Sequence, residues 1–200
     1  YTRTQGSPEL CQAVSEHLTR HEIDIEPDNI VVAPGCKQAV LYAMMATLDP
    51  GDEVLLLAPA WPSYDGMLKL IGAVPIHVPV KRDDYHPDFE ALEAAITPKT
   101  KAIMLNSPNN PTGAVYRPEE VEQLVALAVK HDLWIIDDMI YATLVWADYG
   151  YTSPTKFPGG SERTLTIGGW SKGWAMTGWR LGWIGGASEV ANAVKKINAS

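Results

Sequence analysis

The sequence predicts an α/β fold: a three-layer sandwich in which a mostly parallel, seven-stranded sheet is covered by helices on both faces. Three observations carry this. Short apolar, often β-branched runs alternate with helix-period segments along the whole chain. Several of those runs are apolar throughout, as strands buried on both faces must be. And the 200 residues, 46% of them hydrophobic, suffice for one domain with a real core.

In chain order, the first helix is expected over Pro8–His21, with Ser7 as its cap and Pro8 in the first turn, where proline's missing N–H costs nothing. A strand follows at Ile30–Ala33, then a helix at Lys37–Leu48. Asp49-Pro50-Gly51-Asp52 reads as a turn into the strand Glu53–Leu57. Helix Ser63–Ile71, strand Val74–Val78 and helix Asp88–Ala95 come next, then strand Ala102–Asn106. The helix Pro118–Lys130 again opens on a first-turn proline. Strands Leu133–Asp137, Thr164–Ile167 and Leu181–Gly185 and a helix at Glu189–Ile197 complete the pattern. The sequence carries no repeat, low-complexity tract or linker.

Charge and composition narrow the function. A formal net charge of -8 argues against a nucleic-acid or anionic-membrane surface. The two cysteines, Cys11 and Cys36, are too few and too far apart for a disulfide framework or a zinc site, which favours a reducing cytoplasm. No apolar run is long enough to span a bilayer, and Tyr1 to Pro8 does not read as a signal peptide. The absence of an initiator Met suggests a piece of a longer chain.

Parallel sheets bind ligands beyond the carboxyl ends of their strands, so the loops after the strands are where chemistry is expected. The first, Ala33-Pro34-Gly35-Cys36-Lys37-Gln38, opens a helix whose free N–H groups suit an anion, although a plain strand–helix turn reads equally well or better. The second, Asn106-Ser107-Pro108-Asn109-Asn110-Pro111-Thr112-Gly113, is either a rigid turn or a device for aiming an amide. In the third, Asp137-Asp138-Met139-Ile140-Tyr141, adjacent carboxylates at a buried strand end call for a partner such as a cationic ligand, or else mark a solvated end. The fourth, Trp170–Arg180, sets Lys172 among small and aromatic residues, a setting that favours the nucleophilic amine, with Arg180 available to clamp a phosphate. The alternative is a surface lysine and arginine on an aromatic loop.

Together these residues resemble the fold-type I, class I/II aminotransferases that use pyridoxal phosphate. The likeness runs in order through Gly6-Ser7-Pro8-Glu9-Leu10, Gly35-Cys36-Lys37-Gln38-Ala39, Pro50-Gly51-Asp52-Glu53-Val54, Asn109-Asn110-Pro111-Thr112-Gly113, Asp138-Met139-Ile140-Tyr141 and Ser171-Lys172 to Gly178-Trp179-Arg180. The resemblance implies a role for each residue. Lys172 is the lysine that carries the cofactor and shuttles the proton. Asp138 is the partner of the pyridine N–H. Tyr141 and Asn110 hold the phenolic oxygen, and Trp61 stacks on the ring. Arg180 with the Gly35, Cys36 and Lys37 backbone holds the phosphate, and Ser171 is a further cofactor-binding residue. Tyr1 reaches the phosphate of a neighbouring subunit, which implies a homodimer. No metal is expected. Met139 stands where many relatives have an acid, and Gly169 where many have serine. Residues 1–200 would form the large, cofactor-binding domain, with an N-terminal arm, a small domain and the arginine that grips the substrate's α-carboxylate lying outside them.

The implied reaction is amino-group transfer between an α-amino acid and a 2-oxo acid. A lyase, decarboxylase or synthase of the same fold, or the sensor domain of a pyridoxal-phosphate-binding transcription regulator, would carry the same residues. His17 and His21 have a helical metal-binding spacing but no third ligand, so a solvated face is expected there, and most of the seven tryptophans, Trp61 excepted, are expected in packing roles.

Overall fold

The computed structural model describes residues 3–199. Its sheet is built from β1 (Ile30–Ala33), β2 (Glu53–Ala58), β3 (Val74–Pro79), β4 (Thr100–Leu105), β5 (Trp134–Asp138), β6 (Thr164–Gly169) and β7 (Gly182–Gly185). The helices are α1 (Pro8–Thr19), α2 (Cys36–Thr47), α3 (Ser63–Leu70), α4 (Phe89–Ala94), α5 (Pro118–Lys130) and α6 (Ser188–Asn198). The strands form one seven-stranded sheet in the order β1-β7-β6-β5-β4-β2-β3. Only β7 runs against its neighbours, pairing antiparallel with both β1 and β6. Every expected strand and helix is present, with ends moved by a residue or two.

Local chemistry accounts for the helix starts. Ser7 accepts a hydrogen bond from Leu10 N and Asp88 one from Ala91 N, each satisfying an orphan donor and contributing about 1 kcal/mol. Pro8 and Pro118 occupy first turns.

The strands alternate their side chains between two cores. Val54 and Leu56 of β2, Ala102 and Met104 of β4, Ile136 of β5 and Leu165 and Ile167 of β6 face α2, α3 and α6. Leu55, Leu57, Ile103, Leu105 and Ile135 face the opposite way, towards α4 and α5. A third cluster sets Val14 and Leu18 of α1 against Ile30, Met139 and Trp183. Each such aliphatic side chain, fully buried, stabilises the fold by roughly 1.5–3 kcal/mol. The alternation also determines where the acids at the end of β5 point: Asp138 continues the face of Ile136, and Asp137 that of Ile135.

The expectation of a solvated face at His17 and His21 is corrected. Both rings are half-buried; they pack edge-on against each other at 5.3 Å, His17 against Trp174 at 5.1 Å and His21 against Tyr151 at 5.7 Å. Aromatic edges, not water, cover that side of α1. No group of three or more His, Cys, Asp or Glu that could hold a metal occurs among the described residues. The tryptophans also depart from expectation: Trp183 is buried, whereas Trp146 is 89% and Trp179 70% exposed. No described helix is long and apolar enough to cross a membrane.

Candidate active site

The loops at the carboxyl ends of β1, β2, β4, β5 and β6 enclose a cavity of about 320 Å³. Lys172 and Ser171 enter it from the loop after β6, and Asp138 and Tyr141 from the end of β5. Asn110 enters after β4, Trp61 after β2, Cys36 and Lys37 from the start of α2, and Arg180 from the turn before β7. Thus residues spread from position 36 to position 180 meet in one concavity. Tyr1 lies outside the described residues.

One end of the cavity is built for an anion. Gly35 has φ +103°, a conformation that L side chains rarely adopt, and a Cβ there would stand 2.4 Å from an Arg180 guanidinium nitrogen. Glycine therefore lets the guanidinium reach the N-terminus of α2, where the first N–H groups lack helical partners. Arg180 is itself left-handed at φ 50°, and its Nη1 donates to Thr177 O at 3.0 Å, which fixes the fork. A Cβ on Gly182 would lie 2.4 Å from Cys36 N, so β7 also crosses beneath this turn at backbone contact.

The same cavity presents a buried carboxylate. Asp138, 3% exposed, accepts from Tyr64 Oη at 2.7 Å, from Cys36 Sγ at 3.4 Å and from Ile140 N at 3.3 Å. Burial raises its pKa, and those three hydrogen bonds pull it back. The same burial, with Asp138 beside them, pushes the Cys36 thiol and the Tyr64 phenol well above their ordinary ranges, so both remain proton donors to the carboxylate. Asn106 braces the arrangement: its Nδ2 donates to Asp138 O at 2.8 Å and its Oδ1 accepts from Asn110 N at 2.9 Å. Asn110 Nδ2 in turn reaches Tyr141 Oη at 3.4 Å, setting an amide and a phenol side by side. Burial raises the Tyr141 pKa against the lowering effect of that amide.

Lys172 and Trp61 line the same cavity. Lys172 is exposed to the cavity rather than desolvated among its aromatic neighbours. Lys37 carries its ammonium 5.1 Å from the Trp61 ring centroid, within cation–π reach. Only the Lys37 backbone is singled out by the sequence. Tyr64 and Asn106 were also missed as site residues: Tyr64 reads as one residue of a helix and Asn106 as a strand end. The spacing Trp61-Pro62-Ser63-Tyr64, with one aromatic in the first turn after another, was the available signal, and the rings meet edge-on at 5.3 Å.

An anion cradle, a buried carboxylate and a lysine thus share one cavity at the carboxyl edge of a mostly parallel sheet. A sequence profile of the family described as aminotransferase class I and II matches residues 1–200, and the chain belongs to that family. It is 41% identical to the aspartate/prephenate aminotransferase of Thermus thermophilus, covering 100% of this chain and 51% of that protein. Against the aspartate aminotransferase of Thermotoga maritima the identity is 42%, over 100% of this chain and 53% of that one. Among solved structures, the aromatic aminotransferase of Pyrococcus horikoshii superposes with a TM-score of 0.96 at 36% identity, covering 100% of this chain and 54% of the other. The chain spans about half the length of the curated relatives it matches.

Proposed function

We propose that this chain is the large, cofactor-binding domain of a pyridoxal-phosphate-dependent aminotransferase that moves an amino group between an α-amino acid and a 2-oxo acid. The observation that carries it is the convergence of Lys172, Asp138 and the Arg180–α2 cradle on one cavity. The residues fit the cofactor at both ends. Gly35 lets the Arg180 guanidinium lie against the start of α2, where a phosphate would be held, and Asp138 is a buried acid whose three hydrogen-bond partners are all uncharged.

When bound, pyridoxal phosphate supplies an aldehyde that joins reversibly to amines and a ring that draws off the electrons left when the substrate's α C–H bond breaks. Lys172 Nζ would hold that aldehyde and, once released from it, would take up the substrate's α-proton and pass it to the cofactor's C4′ carbon rather than back to the substrate. Asp138 keeps the proton on the ring nitrogen. Tyr141 and Asn110, already adjacent, hold the phenolic oxygen, and Trp61 covers one face of the ring. Arg180, Ser171 and the N–H groups of Cys36 and Lys37 hold the phosphate. Tyr1 reaches the cofactor of a second copy, making the protein a homodimer, and the compartment is the cytoplasm. The aminotransferase names of the relatives support the reaction class.

Borohydride reduction of the cofactor-loaded protein, followed by peptide mapping, is expected to place the label on Lys172. A label on Lys37 or Lys156 instead overturns the assignment.

A further inference from the structure

Two acids end β5, and the mechanism uses one. Asp137 is completely buried on the opposite face from the cavity. Its Oδ2 accepts from Tyr151 Oη at 2.5 Å, while its Oδ1 makes no hydrogen bond within the protein. The register sets Thr166 of β6 directly beside it, and the buried hydroxyls of Thr166 and Thr164 are likewise without a partner. On β4 the residue alongside is the apolar Leu105. From the turn after α1, His21 packs on the Tyr151 ring rather than on the acid, and burial lowers its pKa so that it stays neutral near pH 7. The groups that act on the charge of Asp137 are thus a phenol and the Asp138 carboxyl one residue away.

Two buried neighbouring carboxyls do not both ionise cheaply without a cation between them. Hydrogen bonds decide which one keeps its proton. Asp138 has three donors aimed at it, from Tyr64, Cys36 and Ile140. Asp137 has one. The Thr164 and Thr166 hydroxyls on the same face can donate as well as accept and bond to neither Asp137 oxygen, so they do not decide between the two forms. An ionised Asp137 would leave an anionic oxygen with nothing donating to it.

We infer that Asp137 is a positioning residue for the cofactor's ring nitrogen: complete burial, with one oxygen left without any donor, holds it as the neutral acid, which leaves Asp138 the one negative charge at the end of β5. This rests on the reading that Asp138 faces that nitrogen. Its electrostatics agree: burial pushes Asp137 up to about 7, whereas three hydrogen bonds restrain Asp138. Asp137 touches neither substrate nor cofactor and acts through its neighbour.

The test uses the full-length, cofactor-loaded protein. At pH 6 its infrared spectrum is expected to contain a protonated-carboxyl band that disappears in Asp137→Asn. With a nitrogen-15-labelled cofactor, Asp137→Asn, an isostere of the neutral acid, should keep the ring nitrogen protonated, and Asp138→Asn should not. Tyr151→Phe removes a hydrogen bond that favours the ionised form, so the band should persist to a higher pH. Absence of the band in the unsubstituted protein at pH 6, a downward shift in Tyr151→Phe, or loss of ring-nitrogen protonation in Asp137→Asn overturns the inference. A protonated ring nitrogen in Asp138→Asn overturns instead the reading of Asp138 on which it depends.

Discussion

Asp138 draws its hydrogen bonds from three separate parts of the chain: Tyr64 in α3, Cys36 at the start of α2 and the backbone of Ile140. That convergence makes it sensitive to single atoms. Tyr64→Phe deletes the shortest bond without opening a cavity. Hydrogen bonds to charged groups are worth roughly 1.5–3 kcal/mol, so kcat/KM should fall by about tenfold to a hundredfold. The sign of the pH effect follows from the same bond. It lowers the Asp138 pKa, so its loss raises that pKa, and activity should fail at a higher pH as the solution is acidified. A pH–rate profile that does not move would show that Tyr64 merely packs. Asp138→Ala should cost at least about 100-fold, the scale on which a preorganised charge at a reacting centre acts, while cofactor is still held by Lys172 and Arg180. Damage from Asp137→Ala with a silent Asp138→Ala would mean that the two faces of β5 have been exchanged.

Among the elements, the crossing of β7 beneath the start of α2 is the tightest join at the site. A Cβ on Gly182 would meet Cys36 N and Gly35 C, each at 2.4 Å, and backbone cannot swing aside as a side chain can. Gly182→Ala should therefore destabilise the protein by about 1–3 kcal/mol and push the N–H groups of α2 away from the phosphate. Thermal unfolding and the affinity for inorganic phosphate or cofactor should both register it; unchanged phosphate affinity would mean that α2 is not the cradle. This join also shows what the sequence conveyed. The strands were legible because they are buried on both faces and so read as unbroken apolar runs, and the caps because Ser7 and first-turn prolines act locally. The antiparallel direction of β7 was not legible, since strand direction depends on long connections rather than on local pattern. The opposite facing of Asp137 and Asp138 was, because it follows from a two-residue period. The partners of these two acids were not: Tyr64 lies 74 residues from Asp138 in sequence, and Tyr151 sits in an irregular segment with no periodicity to read.

At the scale of the whole molecule, what holds the cofactor and what orients the substrate separate. Every group assigned to the cofactor, apart from Tyr1, lines or adjoins the cavity of about 320 Å³. A second, more open cavity of about 670 Å³ adjoins it, because Asn110 and Tyr141 line both, and its wall includes Trp146, 89% exposed. Trp179, 70% exposed, stands one residue before Arg180. Large aromatic surface left bare beside a site is unusual for a protein acting alone, and the relatives are about twice as long as this chain. On the proposed reading, the group among the described residues that would meet the substrate's carboxylate is the neutral amide of Asn110, whose hydrogen bonds are roughly half as strong as the charge-assisted, bidentate ones of an arginine. Without such a grip the α C–H bond is not held in line with the ring system, and several of the roughly 7–11 kcal/mol that positioning supplies are forfeited. Residues 1–200 expressed alone are therefore expected to bind pyridoxal phosphate, to turn yellow and to be reduced at Lys172, yet to transaminate far more slowly than a chain of the relatives' full length. Steady-state assays of the two side by side decide it: comparable kcat/KM would show that the substrate grip lies within these residues, with Lys37 over Trp61 the first side chain to replace in locating it.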